Sequence, residues 1–547
     1  MNCRSDQYKK KKKRQSPPWL LFLCFVLIAS STPVLGQAGP WFPGQTPGDS
    51  GHIPNPEPKN NATFGNSISI FEDRLVVGAF GDSEVYIFER DPVDEQWKLG
   101  MTAGAIPGQL SPVNGWFGWS VSVWGDVLVV GAPEDWPAGA PFSGSAHIYE
   151  RDGATEQWIS TQVIPNPDLG NYEEFGKSVS IWGDVLAIGT SGDTSVPSTI
   201  ESGSVTIFER DGLTGQWIEG QLISHPDPQG INIFGETVSL SGNRLAVGAP
   251  WQPAGSSGTI FNAGSVFLYE RDSNSGEWIL ETSIANPEPQ EWEEFGRSLS
   301  LDGDFLVVGI PLDDSAGGVD SGSVFLYQRE AATGQWVPVE VGAPAGNLPG
   351  QLIGPNPSTR EGFGSSVALD GDLLAVGAHL DEVNGMDEAG SVYIYQRTKA
   401  QGPWQLLQSA ANPDPQQFDK YGYSVAITPQ ALVIAAAFDE AGAMVDVGSL
   451  YLYEPEGVFI RGDCNVDGSF NVADVVKSLS YLFSGGTLPS CLDSCDGNDD
   501  GNLNLADAVM MLNDLFLPGS PPLPSPESVC SIDPTDDPLN CGDYDCP

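Results

Sequence analysis

Residues 295–309 read FGRSLSLDGDFLVVG and, after a loop, residues 321–336 read SGSVFLYQREAATGQW. Leu299 and Leu301 alternate with polar residues, the period-two signature of a strand with one buried face. Gly303-Asp304 separates that strand from an apolar run over 305–308. A two-residue Gly-Asp link between β-type runs predicts a tight hairpin, because the primed turns that suit twisted strands need positive φ, which glycine adopts without steric cost. A third strand at Ser323–Tyr327 and a fourth carrying Trp336 complete a four-stranded sheet.

Working outward, the same pattern occurs seven times, opening at Phe64, Phe117, Phe175, Phe234, Phe295, Phe363 and Tyr421, 53 to 68 residues apart. Hairpin turns are expected at Glu72-Asp73, Gly125-Asp126, Gly183-Asp184, Gly242-Asn243, Gly303-Asp304 and Gly371-Asp372, and at Pro429-Gln430 in the last copy. The length variation falls between the second and third strands. Four short strands at this period predict a mainly β chain forming a seven-bladed propeller, since one small sheet cannot bury both of its faces alone. Fourth strands are marked by Trp97, Trp158, Trp217, Trp278, Trp336 and Trp404, and one Trp per copy at a fixed place reads as packing. The seventh copy has no such Trp after Tyr453. Its counterpart stands at the N-terminal side, where Gly39-Pro40-Trp41 and Ile53-Pro54-Asn55-Pro56 match Gly402-Pro403-Trp404 and Asn412-Pro413. Residues near 41–55 are therefore expected to complete blade seven and leave no open sheet edge.

Lys9 to Lys13 with Arg14, the apolar stretch Leu20 to Ala29, and Val34-Leu35-Gly36 read as a signal peptide over 1–36. The apolar stretch is about half of the roughly 20 residues a spanning helix needs, so the mature chain is expected to be secreted or at the cell surface without a membrane span. Residues 1–36 carry seven Lys/Arg and only Asp6 as an acid, leaving 17 basic against 71 acidic residues, a net charge of −54. Such a surface argues against nucleic-acid partners and calls for counter-cations. Six cysteines (Cys464, Cys491, Cys495, Cys530, Cys541, Cys546) all follow residue 460. An even number in an exported chain implies disulfides, with 15 connectivities open.

After Ile460 the period turns helical. Asp463, Asn465, Asp467, Ser469, Asn471 and Asp474 place oxygen donors at positions 1, 3, 5, 7, 9 and 12 of a calcium loop with Gly468 at the turn. Asp496, Asn498, Asp500, Asn502, Asn504 and Asp507 repeat the pattern with Gly501. Each loop runs into an apolar stripe: Val472, Val476, Leu479, Leu482 and Phe483, then Leu505, Val509, Leu512, Leu515 and Phe516. Ca2+ is the expected ion. Residues 519–547, Pro-rich and then holding Cys530, Cys541 and Cys546, read as a disulfide-tied tail.

The units FGWSVSVWGDVLVVGAP at 117–133 and FGETVSLSGNRLAVGAP at 234–250 resemble the FG-GAP repeats of integrin α-subunit propellers and their bacterial relatives, over residues 37–459. That resemblance implies a binding or adhesive role. The calcium loop such blades carry between the first two strands is replaced here by a two-residue turn, too short to surround a cation that takes six to eight oxygens. Carboxylates recur in the second-to-third-strand loops (Asp313 and Asp320, Asp381 and Asp387, Asp439 and Asp446); their oxygens could hold an ion, and capping of the loop before Gly-Ser is the expectation. The paired loops over 460–518 resemble the duplicated segment of dockerin domains, which implies docking onto a cohesin-like exported partner. Val472-Ala473 and Leu505-Ala506 stand where well-known cohesin binders carry hydroxyl residues. Arg461-Gly462-Asp463 spells an integrin-ligand tripeptide, read as coincidental because Asp463 opens the first loop.

No Gly-x-Ser-x-Gly elbow, His-Glu-x-x-His pair or phosphate-cradling glycine loop occurs, and His52, His147, His225 and His379 are scattered. The expectation is a non-catalytic recognition or adhesion protein whose partner is an exported protein or a surface polysaccharide. The alternative is a polysaccharide-active glycoside hydrolase or lyase carried by the docking module.

Overall fold

The computed structural model describes residues 41–43, 51–91, 96–100, 109–110, 115–194, 201–228, 231–255, 258–314, 318–341, 348–397, 403–455, 461–465, 470–489, 491–517 and 523–524, all within the unit Gly39–Pro547. The expected signal peptide, Gly39-Pro40 and the cysteines of the tail lie outside them. The described strands form seven antiparallel sheets, which are the blades of a propeller. In blade five the strands are Ser298–Asp302, Phe305–Ile310, Ser323–Arg329 and a fourth divided into Trp336–Pro338 and Gln351–Ile353.

Second strands are apolar without alternation because both of their faces are buried. Leu75, Val77 and Ala79 enter the core shared with blade seven, while Val76 enters the core shared with blade two. Trp158, Trp217, Trp278 and Trp404 are buried in such inter-blade cores, as expected of packing residues. The hairpin turns carry positive φ at their first residue, between 54° and 60° at Gly125, Gly183, Gly242, Gly303 and Gly371, and 49° at Glu72.

The Phe-Gly and Gly-Ala-Pro signatures have one physical cause. In six of the seven junctions the glycine after the opening aromatic lies against a glycine near the end of the previous blade's second strand, and in the seventh Gly65 lies against Ala435. A Cβ on Gly131 would sit 2.0 Å from the Gly176 carbonyl oxygen, and one on Gly189 2.0 Å from that of Gly235. A hydroxyl three residues after each aromatic then donates to the next blade's glycine carbonyl: Ser67 to Gly118, Ser120 to Gly176, Ser178 to Gly235, Thr237 to Gly296, Ser298 to Gly364 and Ser366 to Gly422. Ser424 donates to Gly65 at 2.6 Å, which joins blade seven to blade one.

Ring closure follows the expectation. Trp41–Pro43 and His52–Pro54 both pair antiparallel with Ser449–Pro455, the third strand of blade seven, with Trp41 opposite Pro455 and His52 opposite Tyr451. Ile53 enters the blade seven–blade one core beside Leu450 and Leu452.

Length variation has a second location besides the loops after the second strands. In blades two, three, four and six the fourth strand is continuous with a bulge, as between Ile148 and Tyr149 of the facing strand. In blades one, five and seven additional residues enter at that place, so pairing stops at Leu99, Pro338 and Pro43 and resumes at Gln109, Gln351 and His52. A bulge already leaves one residue unpaired, so an insertion there breaks no further ladder bond.

Candidate functional site

Helices α1 (Val472–Ser484) and α2 (Leu505–Phe516) each begin at an Asn that caps the helix, Asn471 and Asn504, with Asp474 and Asp507 closing a capping box. Asp474 accepts from the main-chain N–H of Asn465 (3.0 Å) and of Asn471 (2.7 Å). Asp507 accepts likewise from Asn504 at 2.6 Å. Position 12 of each expected loop is thus folded back onto earlier loop positions, while Asp467, Gly468 and Ser469 lie outside the described residues. In the second loop Asp496 accepts from the N–H groups of Asp499 and Gly501 (2.9 and 2.8 Å). Asp507 Oδ1 and Asn498 Oδ1 are buried with no hydrogen-bond partner. Burial, reinforced by the neighbouring Asp496, pushes the Asp507 carboxyl up. Oxygen-only donors with buried unsatisfied lone pairs suit a hard cation such as Ca2+.

Arg461 is buried, donating to the Asp496 carbonyl (2.8 Å) and pairing with Asp499 (2.8 Å). With Asp463 buried as well, the Arg-Gly-Asp tripeptide is part of this packing and offers no exposed ligand. Cys464 is bonded to Cys495, and Cys491 is also disulfide-bonded.

The expected apolar stripes face outward. The interior of the helix pair is Val475, Ala508, Met511 and the Cys464–Cys495 bridge. Val476 and Phe483 are 60 % and 67 % exposed, and Val509 and Phe516 46 % and 66 %. Leu479 and Leu515 alone of the stripes pack against that interior. Among the described residues nothing packs over this duplicated surface.

A site missed by sequence reasoning lies on one rim of the propeller. Tyr172, Trp292 and Phe418 each stand three residues before the opening aromatic of blades three, five and seven, with φ of 65°, 73° and 74°. Their N–H groups donate to carbonyls of the previous blade's loop, at Pro141 (2.9 Å), Phe261 (3.0 Å) and Asp387 (3.0 Å). That clasp holds non-glycine residues in a costly left-handed conformation. It leaves their rings 65 %, 59 % and 52 % exposed. Trp136 and Phe261 are exposed on the facing loops, and Phe142 stacks on Tyr172 at 5.3 Å. Rigid aromatic faces supply contact area at low conformational cost. The recurring spacing aromatic-x-x-aromatic is the signal that marks them.

Asp320, Asp387 and Asp446 serve the same clasp through their main-chain carbonyls, while Asp313, Asp381 and Asp439 lie near acids of the adjoining loop. His147 is buried and within 3.0 Å of Ser145 Oγ, and burial lowers it to about 4, in keeping with a structural role. Among the described residues no helix is long and apolar enough to cross a membrane.

Chelating calcium from the full chain is expected to speed amide exchange in α1 and α2 about 100-fold, leaving the inner propeller strands protected. A site with Kd on the order of 1 μM at roughly 100 μM calcium contributes about 2.7 kcal/mol. Unchanged exchange in both helices, followed by mass spectrometry, would contradict the assignment of the two loops.

No curated protein matches this chain. A family model described as the FG-GAP repeat matches residues 113–149, 158–208, 278–327 and 350–395. Three of these segments begin on or just before a fourth strand and end on the next blade's third, the same one-strand offset that leaves residues 41–54 to complete blade seven. The chain carries FG-GAP repeats, and here they build a seven-bladed β-propeller suited to binding and recognition.

Proposed function

We propose that this is a secreted, calcium-binding recognition protein in which the aromatic rim of the propeller engages a ligand and the dockerin-like helix pair docks the molecule onto an exported partner. The observation that carries the reading is the duplicated stripe, Val472, Val476 and Phe483 with Leu505, Val509 and Phe516, exposed on helices that start at calcium-type loops. Contiguous exposed apolar surface on a small module marks an interaction site. Two loops in register place both helix starts under one ion-dependent control. The polysaccharide-active alternative is less well supported, because Glu173, Glu293, Glu361 and Asp419 are buried and recur at several blade junctions instead of gathering at one cleft.

The test is calcium-dependent capture of exported proteins by the full chain. Val476→Asp with Val509→Asp is expected to abolish capture, and Tyr172→Ala with Trp292→Ala and Phe418→Ala to weaken ligand binding at the rim at least tenfold without lowering the melting temperature. Capture indifferent to both chelator and the stripe substitutions would overturn the docking reading, and turnover in a reducing-sugar assay would favour the enzyme.

A further inference from the structure

At each blade junction on the aromatic rim two positions come together. One lies two residues before the opening aromatic, and the other four residues beyond the glycine of the second strand (Ala435 in blade seven). Blade four holds amides there, Asn232 and Gln252, and Asn232 Nδ2 donates to Gln252 Oε1 at 2.6 Å. Blade one has Ala62 and Asp82, and Lys59 supplies the charge, 3.7 Å from Asp82 and 2.7 Å from Glu84. Blade two has Gly115 and Asp135, and Ser145 donates to Asp135 at 2.7 Å. In blades two and four the chain satisfies its own junction by hydrogen bonds, and in blade one Lys59 brings a cation to it.

Blades three, five, six and seven instead place two carboxyls together: Glu173 with Asp193, Glu293 with Asp313, Glu361 with Asp381, and Asp419 with Asp439. Among the described residues Glu173, Glu293, Glu361 and Asp419 form no ion pair with lysine or arginine. One oxygen of each is held in place. Asn166, Asn286 and Asn412 donate to Glu173, Glu293 and Asp419 at 2.6, 2.6 and 2.8 Å, and the Ser358 N–H donates to Glu361. The second oxygen of Glu293, Glu361 and Asp419 is buried without a partner, in residues only 2 %, 2 % and 1 % exposed. In blade three, carboxylate oxygens of Asp168, Glu173 and Asp193 lie within 4.8 Å of one another.

We propose that the carboxylate junctions of blades three, five, six and seven are divalent-cation sites, with Ca2+ taking the place that the Lys59 ammonium fills in blade one. The donors are all oxygen, which suits calcium and not zinc or copper. Glu173, Glu293 and Asp419 directly follow Tyr172, Trp292 and Phe418, so an ion at each junction fixes the main chain beside a rim aromatic. This inference stands apart from the docking reading and from the two helical loops.

The test counts bound Ca2+ on the full chain by native mass spectrometry. Glu293→Asn with Asp313→Gln copies the amide pair of blade four and is expected to lower the count by one. Asn232→Glu with Gln252→Asp, in the opposite direction, is expected to raise it by one. Because the change is read as a difference, calcium held by the helical loops cancels. Counts unchanged in both variants would overturn the proposal, as would a gain variant that folds normally and binds no additional ion.

Discussion

Gly189→Ala is expected to abolish accumulation of folded protein, although it adds one methyl group. That methyl would lie 2.0 Å from the Gly235 carbonyl oxygen and 2.3 Å from Ser178 Oγ. Ser178 Oγ is the donor to that same carbonyl at 2.8 Å, so relieving the clash means parting blade three from blade four. Blade seven is spaced to hold Ala435 at the equivalent place against Gly65. In blade three the methyl would instead meet backbone, which cannot withdraw as a flexible side chain does, and a cost above ~4 kcal/mol, in the exceptional range for a point substitution, is expected. Gly183→Ala is the control. It sits at φ 58° in the hairpin turn with nothing within 4 Å, so its penalty is the conformational one, about 1 kcal/mol. Thermal melts of the two variants should therefore differ widely, and similar melting temperatures would contradict the packing assigned to the paired glycines.

Deleting residues 37–54 is expected to have the second largest effect. Ser449–Pro455 would lose both of its outer partners and present an unpaired edge. Loss of Ile53 from the blade seven–blade one core costs ~2–5 kcal/mol by itself, as for other large buried side chains. The truncated chain should melt without a single cooperative transition and elute as aggregates in size-exclusion chromatography. A monomer with the full-length melting temperature would show that blade seven is stable without its N-terminal strands.

What the sequence revealed of the fold is what one repeat contains by itself. The Gly-Asp turns, the apolar second strands and the Trp of each fourth strand are local signals, and a missing seventh Trp with a stray Trp41 was enough to locate the closing strands. The rest depends on contacts between copies. Arg151, Arg210, Arg271 and Arg329 each pair with the acid before the corresponding Arg of the preceding blade, Glu89, Glu150, Glu209 and Glu270, and Arg90 pairs with Glu454 at the same place in blade seven. Where that acid is Gln328, Arg397 turns to Asp372 of its own blade. Beyond Gln396 the Arg position of blade seven is Pro455. The pattern is visible only when the copies are compared position by position, and the same holds for the rim aromatics and the junction acids. The helix stripes are legible in the sequence as stripes but the side they face is not, because periodicity reports that a helix has an apolar face without saying what covers it.

The closed ring underlies both the rim and its junctions, and disulfide trapping tests it most directly. His52 and Tyr451 face each other across the closing strands with ring centroids 5.2 Å apart. In the full chain, His52→Cys with Tyr451→Cys should oxidise to an intramolecular bridge linking peptides from opposite ends of the propeller and raise the melting temperature. Free thiols or only intermolecular dimers under the same conditions would contradict closure by the N-terminal strands.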